Sequence, residues 1–400
     1  MNPALETLKP YPFERLNALK AGIAPRCNAP HIALSIGEPK HDPPPFIVEA
    51  LADTRRLVAG LGGYPATRGS DALRAALAAW ATRRFALATP LDPATQVLPV
   101  SGTREALFSF GQAVLSGRPG SVCVMPNPFY QIYEGAALLR GAEPYYLACP
   151  AALGFQPDLA AVPRDVWRAC ELVYLCSPNN PCGSVMPIEQ LTRLIALADE
   201  HDFVIAADEC YSEIYRDEES PPPGLLEACA RIGRHDYRGC VVFHSLSKRS
   251  SVPGLRSGFV AGDANVLERF FLYRTYHGCA MPGHVQEASR LAWQDEAHVI
   301  DNRAIYRAKF EAVTPILADA LGCTHPDGAF YYWARTPIDD EAFAQALFRE
   351  ENITVLPGSY LAREVDGASP GKNRIRMALV APLAECVDAA ERIARFLARL

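Results

Sequence analysis

The sequence of 400 residues predicts a large α/β domain with a mostly parallel sheet, joined to a smaller α+β domain. Short runs that are apolar throughout alternate with stretches of helical periodicity, which is typical of strands that a sheet buries on both faces. After about residue 285 the pattern changes to long helical segments with short strands, and the first 45 residues are proline-rich and irregular. We therefore predict a large domain at 46–283 and a small domain formed by 1–45 and 284–400.

Each element of this arrangement follows from one of two periodicities. Apolar residues that recur every three to four positions predict helices, and short runs rich in Val, Ile and aromatic residues predict strands. In the large domain, helices are predicted at 103–115, 129–141 and 188–201, and strands at 121–125, 171–176, 203–208, 240–245 and 258–262. In the small domain, the pattern predicts a helical segment at roughly 283–320, short strands near 329–334 and 353–356, a segment at 374–380 and a last helix at 384–400.

The composition argues against several classes of function. Hydrophobic residues make up 49% of the chain and the formal net charge is −6, which disfavours binding to nucleic acid or to anionic membranes. The N-terminus lacks the apolar core of a signal peptide, and no apolar run is long enough to span a bilayer. The twelve cysteines are scattered without the paired spacing of a zinc site, so we expect no metal and a reducing, cytoplasmic location.

A polar or aromatic cluster follows each of four predicted strands. In an open α/β sheet, ligands bind beyond the carboxyl ends of the strands, so these clusters predict one shared ligand site. The clusters are PNPFY at 126–130, SPNNPCG at 177–183, DECY at 208–211 and SLSK at 245–248.

Two of these clusters place an ionisable group at the end of a very apolar strand. Asp208 is either a turn or capping residue, or an anion that a cationic ligand neutralises, because a buried carboxylate without a cation is unfavourable. Lys248, which lies between Ser247 and Arg249, is either an ordinary surface charge or a lysine that forms a Schiff base. A Schiff-base lysine needs a lowered pKa, which burial and nearby cations provide.

Other segments offer groups that a flat, phosphorylated ligand requires. Gly102 and Thr103 open a helix whose free N–H groups favour a phosphate, although Ser101 or Thr103 is equally an ordinary helix cap. Asn180 offers an amide for a phenolate oxygen, or simply belongs to a turn. The aromatic residues of PNPFYQIY at 126–133 provide a ring that stacks on a heterocycle, or else pack in the core.

Further candidate ligand groups complete one chemical description. Ser245, Ser247 and Arg256 are candidates for binding a phosphate, and Tyr211 offers a hydroxyl to the ligand that Asp208 contacts. A basic ring nitrogen, a phenolic oxygen, an aldehyde and a phosphate together describe pyridoxal 5′-phosphate (PLP). No single motif carries this prediction, but all of them occur in order at successive strand ends.

Over nearly its whole length the chain resembles the fold-type I aminotransferases of classes I and II. The family motif NPxNPTG appears as SPNNPCG, D-x-x-Y as DECY, and S-x-S-K…R as SLSKRSSVPGLR. Ser177 and Cys182 replace Asn and Thr of the first motif, which removes none of the expected contacts. The resemblance implies a mostly parallel seven-stranded sheet between helices, a smaller α+β domain and a PLP cofactor.

The resemblance also implies a role for each matched residue. Lys248 is expected to hold PLP as a Schiff base and to act as a general base, and the other catalytic residues are expected to be Asp208 at the pyridinium nitrogen and Tyr211 at the ring oxygen. The remaining cofactor contacts are expected from Asn180 at the ring oxygen, from Tyr130 as the stacking ring, and at the phosphate from Ser245, Arg256, Gly102 and Thr103.

The substrate and a second subunit complete the implied site. Gly37, Asn180 and Arg376 are expected to bind the substrate, with Arg376 clamping its α-carboxylate. Tyr64 is expected to reach the cofactor of a partner subunit, so that a homodimer shares its active sites. The implied activity is a ping-pong transamination between an amino acid and a 2-oxo acid.

Longer segments extend the resemblance to a substrate class. Segments 8–22, 244–263 and 279–289 resemble bacterial succinyldiaminopimelate transaminases, which implies N-succinyl-LL-2,6-diaminopimelate and 2-oxoglutarate as substrates in lysine and diaminopimelate synthesis. Such a substrate has a long acidic tail, so the site needs a further cation. The sequence leaves five candidates open for it: Arg26, Lys40, Arg68, Arg104 and Arg249.

Three alternatives stay open at this point. An aromatic or kynurenine-type aminotransferase differs only in its side-chain pocket. A PLP-dependent carbon–sulfur β-lyase has the same fold and cofactor but needs no 2-oxo acid acceptor. A non-enzymatic ligand-binding or regulatory protein usually carries a fused DNA-binding module, for which 400 residues leave no room.

Overall fold

The computed structural model describes residues 1–400 and contains twelve strands and fifteen α-helices. In chain order, the strands are β1 (Ile32–Ala33), β2 (Val97–Val100), β3 (Val122–Asn127), β4 (Glu143–Ala148), β5 (Cys170–Cys176), β6 (Val204–Asp208), β7 (Cys240–Ser245), β8 (Gly258–Gly262), β9 (Tyr331–Arg335), β10 (Ile353–Thr354), β11 (Leu356–Pro357) and β12 (Arg374–Ala378). The helices are α1 (Pro12–Lys20), α2 (Pro45–Ala52), α3 (Thr54–Leu61), α4 (Asp71–Arg84), α5 (Thr103–Val114), α6 (Gln131–Arg140), α7 (Arg164–Ala169), α8 (Ile188–His201), α9 (Leu225–Arg231), α10 (Leu246–Arg249), α11 (Ala264–His277), α12 (Gly283–Gln294), α13 (Ala297–Leu321), α14 (Asp340–Glu351) and α15 (Leu383–Leu397).

Seven of the strands form one sheet in the order β2-β8-β7-β6-β5-β3-β4. Five neighbouring strands, β7, β6, β5, β3 and β4, run parallel. β8 is antiparallel to β7, and β2 is antiparallel to β8. The predicted fold class, with a mostly parallel seven-stranded sheet, is therefore confirmed. Because the parallel strands share one direction, the carboxyl ends of β3, β5, β6 and β7 lie at one edge of the sheet.

Successive residues of each central strand pack into two different cores. In β6, Ile205 and Ala207 belong to the core that includes residues of α4, α8, α9 and α12, whereas Ala206 belongs to the core with residues of α5, α6 and α11. Alternate side chains of a strand point to opposite faces, so a strand covered on both faces needs apolar residues at every position. This requirement is the physical origin of the continuous apolar runs in the sequence.

Two further sheets lie outside the seven-stranded one. β11, β12 and β9 form an antiparallel sheet, and β1 pairs with β10 in parallel. A separate core joins the antiparallel sheet to α13, α14 and α15. The proline-rich N-terminus, predicted to be irregular, contains α1, which begins at Pro12 because a proline in the first turn removes no helical hydrogen bond. Leu16 of α1 packs with Trp333 and Leu356.

The helical segment predicted at 283–320 is two helices, α12 and α13, interrupted at Asp295 and Glu296. α12 packs against α2, α3 and α4, and its Ala288, Ala292 and Trp293 lie in a core of the seven-stranded sheet. This helix therefore packs with the large sheet, although it follows the predicted domain boundary at residue 283. None of the helices combines the length and the apolar surface that crossing a lipid bilayer requires.

Candidate active site

A cavity of about 360 Å³ opens where β6 and β7 end, at the carboxyl edge of the large sheet. A volume of this size is within the range of small-molecule sites. Ten of the twelve residues predicted for the site line the cavity: Gly37, Thr103, Tyr130, Asn180, Asp208, Tyr211, Ser245, Lys248, Arg256 and Arg376. The fold thus brings residues of the N-terminal segment and of β12 to the strand ends of the large sheet.

Asp208 ends β6 as a buried carboxyl group that is 5% exposed. Its Oδ2 accepts a hydrogen bond of 2.6 Å from the hydroxyl of Tyr133, and its Oδ1 accepts one of 3.3 Å from the N–H of Cys210. Burial raises the pKa of Asp208, and the bonds from Cys210 and Tyr133 and the charge of His244 oppose that rise. A cation in the cavity would therefore stabilise the anionic form of this carboxyl group.

The hydroxyl of Tyr133 is a contact that the sequence did not assign, since Tyr133 was considered only as one of several stacking aromatic residues. In the structure its ring stacks on Tyr174 at a centroid distance of 4.7 Å, and both rings are fully buried. A tyrosine rather than a phenylalanine at a fully buried helical position is the signal that a polar partner is present. That partner is Asp208.

Lys248 lies in the single turn of α10 that follows β7, and its Nζ donates a hydrogen bond to the carbonyl of Gly37. Burial lowers the pKa of Lys248 to about 8, and the charges of Arg376 and Arg256 act in the same direction. A Cβ added at position 37 would overlap the Tyr331 hydroxyl, so the close approach of this segment requires glycine. The lowered pKa of Lys248 gives its amine a larger neutral, nucleophilic fraction near neutral pH than an ordinary lysine has.

A second group of residues forms a cradle for an anion. Gly102 has a φ of +90°, and a Cβ there would overlap Nη2 of Arg256, so a side chain has no room. Thr103 begins α5, whose first N–H groups have no partners within the helix. Ser245 caps α10 through a 3.1 Å bond from the N–H of Ser247 to its Oγ. Arg256 donates to the carbonyl of Pro253 in its own turn, at 2.8 Å.

Arg376 is a buried guanidinium group, 4% exposed, that faces the cavity without a carboxylate partner. It donates to Oδ1 of Asn180 at 2.8 Å and to the carbonyl of Ser35 at 2.7 Å, and its Nε has no partner. A buried cation without a counter-ion is unfavourable, so this position favours an anionic ligand. The guanidinium lies 4.5 Å from the ring centroid of Tyr331.

Tyr331 of β9 is a further residue that the sequence did not assign to the site. Its hydroxyl lies 2.8 Å from that of Tyr211, and both side chains line the cavity. Burial raises the pKa of both hydroxyls, which keeps them protonated and available as donors. The N-terminal segment also contributes lining residues that the sequence did not assign to the site: Tyr11, Pro12, Phe13 and Ile36.

Two predicted residues lie outside the cavity lining. Gly102 is one of them, although a Cβ there would overlap Arg256, which does line the cavity. Tyr64 is fully exposed and follows α3, and it does not line the cavity within this chain.

Of the five cations considered for the distal part of the substrate, Arg104 is the one that lines the cavity. Its guanidinium lies 5.2 Å from the ring centroid of Tyr11. Arg249 is buried against Trp80 and Trp293 and pairs with Glu296 at 2.8 Å. The other three lie elsewhere on the surface: Arg26, which pairs with Glu350, Lys40, and Arg68, which donates to the carbonyl of Ala94.

The residues of the cavity fit PLP on chemical grounds. Asp208 is a buried carboxyl group suited to a pyridinium nitrogen, and Lys248 is an amine with a lowered pKa suited to an aldehyde. Gly102, Thr103, Ser245 and Arg256 supply donors of the kind that bind a phosphate. Arg376 remains for a separate carboxylate.

Comparison with known proteins gives consistent results. A model of the family "aminotransferase class I and II" matches residues 29–393. The chain is 31% identical over 395 residues to the LL-diaminopimelate aminotransferase of Nitratidesulfovibrio vulgaris strain DP4, covering 98% of this chain and 97% of that protein. It superposes on the crystal structure of an aminotransferase from Neisseria meningitidis with a TM-score of 0.94, 49% identity and 99% coverage of both chains. A probable N-succinyldiaminopimelate aminotransferase from Thermus thermophilus superposes with a TM-score of 0.84 and 25% identity, covering 96% of this chain and 100% of that chain.

Proposed function

Because this chain belongs to the class I and II aminotransferase family, we propose that it transfers the free amino group of N-succinyl-LL-2,6-diaminopimelate to 2-oxoglutarate, forming a 2-oxo acid and glutamate. Enzymes of this family depend on PLP and act on amino acids and 2-oxo acids, so the activity class and the cofactor are those predicted from the sequence. The proposal concerns the substrate and the role of each site residue.

The side chains of the cavity are proposed to share the work of proton transfer. When bound, PLP supplies a ring that draws electron density from the substrate Cα and so eases loss of its proton. Asp208 would hold a proton on the ring nitrogen of a bound cofactor, because its carboxyl group is buried and lines the cavity. Lys248, whose pKa is lowered to about 8, takes the proton from the substrate Cα with its neutral amine.

Other residues are proposed to orient the substrate and the cofactor. Arg376 pairs with the α-carboxylate through two hydrogen bonds, which directs the Cα–H bond towards Lys248. Asn180 and Tyr211 would bind the ring oxygen of a bound cofactor, and Tyr130 would stack on its ring. Gly102, Thr103, Ser245 and Arg256 would hold its phosphate, and Gly37 would contact the substrate carboxylate.

The charges of the cavity lining carry the substrate proposal. Asp208 is the one carboxylate among the lining residues, whereas Arg104, Lys248, Arg256 and Arg376 are cations. The distal half of N-succinyl-LL-2,6-diaminopimelate has two carboxylates and no free ammonium group, so it suits a lining of this kind. The distal ammonium group of unmodified LL-diaminopimelate would find no free carboxylate in the lining, which is unfavourable for a desolvated cation.

Arg104 is proposed as the residue that binds the distal carboxylate. It stands at the start of α5, next to the residues proposed for the phosphate, and it packs near the ring of Tyr11. The Arg104 side chain is exposed and forms no ion pair within the chain, so it is available to a ligand. The position of Arg104 in the cavity lining also favours a substrate with an acidic side chain over one with an aromatic side chain.

LL-diaminopimelate itself is the second candidate, since the relative from Nitratidesulfovibrio vulgaris is an LL-diaminopimelate aminotransferase. The two are distinguished by mixing the PLP-loaded protein with each amino donor in the absence of an oxo acid and following the visible absorbance of the cofactor. We expect N-succinyl-LL-2,6-diaminopimelate to react with a kcat/KM about 100-fold higher than LL-diaminopimelate, kynurenine or tyrosine, a difference of about 2.7 kcal/mol. Equal or faster reaction of LL-diaminopimelate would overturn the proposal, and release of pyruvate from a sulfur-containing amino acid would indicate a β-lyase.

We further propose a homodimer in which Tyr64 reaches the active site of the partner subunit. Large hydrophobic side chains are exposed on α3 and α11 and just beyond α3, and burying them against a second copy would stabilise the assembly. These residues are Val58, Leu61, Tyr64, Leu272 and Tyr276.

The domain division is also a proposal. The separate cores support a large domain that starts near residue 46 and a small domain that includes the N-terminal segment, with the boundary moved from residue 283 to the break between α12 and α13. All twelve cysteines are free, which is compatible with the proposed reducing cytoplasm.

A further inference from the structure

Asn302 on α13 binds the backbone of the turn that carries Lys248. Its Nδ2 donates hydrogen bonds to the carbonyl of Lys248 at 3.0 Å and to that of Arg249 at 3.2 Å. These two carbonyls end α10, a helix of four residues, so they have no partners within the helix. A helix this short has little stability of its own, so the two donors from α13 hold its end in place.

The orientation of the Asn302 amide is fixed by a chain of hydrogen bonds. Lys309 lies two turns after Asn302 on the same face of α13, and its Nζ donates to Nε2 of His41 at 2.6 Å. The other ring nitrogen, Nδ1, therefore carries the proton and donates to Oδ1 of Asn302 at 2.9 Å. Ser251 Oγ donates to the same oxygen at 2.9 Å, which leaves Nδ2 to face the two carbonyls.

Lys309, the last residue of this hydrogen-bond series, has a buried ammonium group without a counter-ion. Lys309 is fully buried, no carboxylate lies close enough to pair with it, and the ring centroid of Tyr306 is 5.0 Å from its Nζ. Burial lowers the pKa of Lys309 to about 8, with the Cys386 thiol acting in the opposite direction. Burial and the charge of Lys309 lower the pKa of His41, against the Asn302 hydrogen bond and the charge of Asp42. His41 is thus held neutral, which allows it to accept a hydrogen bond from Lys309 and to donate one to Asn302.

We propose that Asn302, oriented by His41 and Lys309, is a positioning residue that keeps Lys248 and Gly37 in register during turnover; this rests on the catalytic role proposed for Lys248. Gly37 and His41 belong to one segment, and Lys248 and its carbonyl to another, so the two segments are joined at two points. The bond from Nζ to the Gly37 carbonyl is given up whenever Nζ engages the cofactor or the substrate proton. The His41–Asn302 contact then remains to hold the segments together.

The test compares two substitutions that each remove one amide-to-carbonyl contact from a helix. Asn302→Ala removes the donors to Lys248 and Arg249, and Gln112→Ala on α5 removes a 2.7 Å bond to the carbonyl of Ala136, away from the cavity. With PLP-loaded protein, we expect Asn302→Ala to lower kcat about tenfold while the KM for 2-oxoglutarate stays within about twofold. Gln112→Ala should leave both constants unchanged.

A spectroscopic readout separates positioning from loss of stability. A loosened α10 lets the Lys248 nitrogen relax out of its buried position, which favours its protonated form. We therefore expect the pH midpoint of the visible cofactor band to rise by about half a unit or more in Asn302→Ala, and not in Gln112→Ala. His41→Phe, which keeps a ring beside Tyr306 but removes both nitrogens, should shift the midpoint in the same direction and serves if Asn302→Ala fails to fold.

An unchanged midpoint and kcat in both Asn302→Ala and His41→Phe would overturn the inference and leave Asn302 with a role in stability alone. Failure of the proposed function has a different signature. In that case the unsubstituted protein itself would lack the visible band or would not react with any amino donor.

Discussion

At the scale of single residues, burial acts on the two principal ionisable groups of the site in a complementary way. It raises the pKa of Asp208 and lowers the pKa of Lys248 to about 8, so both groups are driven towards their neutral forms. A cationic ring nitrogen bound beside Asp208 would reverse the effect there, because it would stabilise the carboxylate. At the amine, the Cys210 thiol and Glu38 oppose the effect of burial only in part, so the pKa stays lowered and the amine keeps nucleophilic character.

The Tyr133 hydroxyl is expected to tune Asp208. Tyr133→Phe removes a hydrogen bond to a charged group, worth about 1.5–3 kcal/mol, while the ring can keep its place against Tyr174. The pKa of Asp208 should rise further and the first half-reaction should slow about 10- to 100-fold, measured by stopped-flow absorbance across a range of pH. Tyr174→Phe is the matched control, since it removes a 2.7 Å bond to the carbonyl of Leu107 and leaves Asp208 untouched. Equal rates in the two variants would contradict the role assigned to Tyr133.

The site residues that the strand pattern alone indicated are those adjacent to strand ends, where position along the chain and position in space coincide, whereas Gly37 and Arg376 came from the family resemblance. Asp208 and Lys248 each follow a buried strand directly, so their neighbourhood could be inferred from the pattern. The contact between Tyr211 and Tyr331 spans 120 residues and depends on how β9 packs against the large sheet. The choice among five cations was likewise open, because the pairing of Arg249 with Glu296 is a tertiary contact.

At the scale of elements, the join between β2 and α5 determines how closely the backbone approaches an anion. Gly102 has a positive φ and lies against the Arg256 guanidinium, so both the backbone conformation and the lack of space exclude a side chain at this position. Only glycine adopts such a conformation without strain. The first turn of α5 then directs its free N–H groups towards the cavity edge that Thr103 lines.

Gly102→Ala is expected to lower both stability and PLP affinity. The added Cβ would strain the backbone and displace the Arg256 guanidinium, which is exposed and can move. We expect a loss of about 1–3 kcal/mol in the free energy of unfolding and a roughly tenfold weaker affinity for PLP, measured by denaturant titration and by equilibrium binding. Gly120→Ala is the control: its φ is +80° and nothing lies within 4 Å of the added Cβ, so only stability should fall. Unchanged PLP affinity in Gly102→Ala would contradict the proposal that Gly102 and Arg256 help to hold the phosphate.

Strands were predictable where burial on both faces leaves a continuous apolar run, which the four residues of β2, with Pro99 among them, do not provide. β5 and β6 appear in the sequence as continuous apolar runs because each of their side chains meets a core. β4 at the sheet edge has a single buried residue, Leu147, among exposed and half-buried ones, and it follows α6 after two residues, so it left no clear apolar run. The break between α12 and α13 was not predicted because both helices have apolar faces, which pack against different cores.

At the scale of the whole molecule, the site is made by three parts of the chain that are distant in sequence. The strand ends of the large sheet supply Asp208 and Lys248, β12 supplies Arg376, and the segment before α2 supplies Gly37. Gly37 and Arg376 are linked to the large sheet through contacts with Lys248 and Asn180. Movement of the β11-β12-β9 sheet relative to the seven-stranded sheet would therefore change the distance between Arg376 and Lys248, and so open or close the site proposed for the substrate carboxylate.

The proposed sharing of active sites between two subunits predicts that two defective chains restore each other. In a heterodimer of a Tyr64→Ala chain and a Lys248→Ala chain, one site contains the intact Lys248 of the first chain and the intact Tyr64 of the second, while the other site lacks both. Each variant homodimer should have little activity. The heterodimer, co-expressed with two affinity tags and purified through both, should have about half the activity of the unsubstituted dimer.

A control and an opposing outcome define this experiment. A heterodimer of Lys248→Ala with a chain that carries both substitutions contains no complete site and should be inactive. Tyr64 is fully exposed and does not line the cavity of its own chain, so restoration of activity requires that it act across the subunit boundary. If Tyr64→Ala homodimers retain full activity, or if the heterodimer is no more active than its parents, each chain works alone and Tyr64 is an ordinary surface residue.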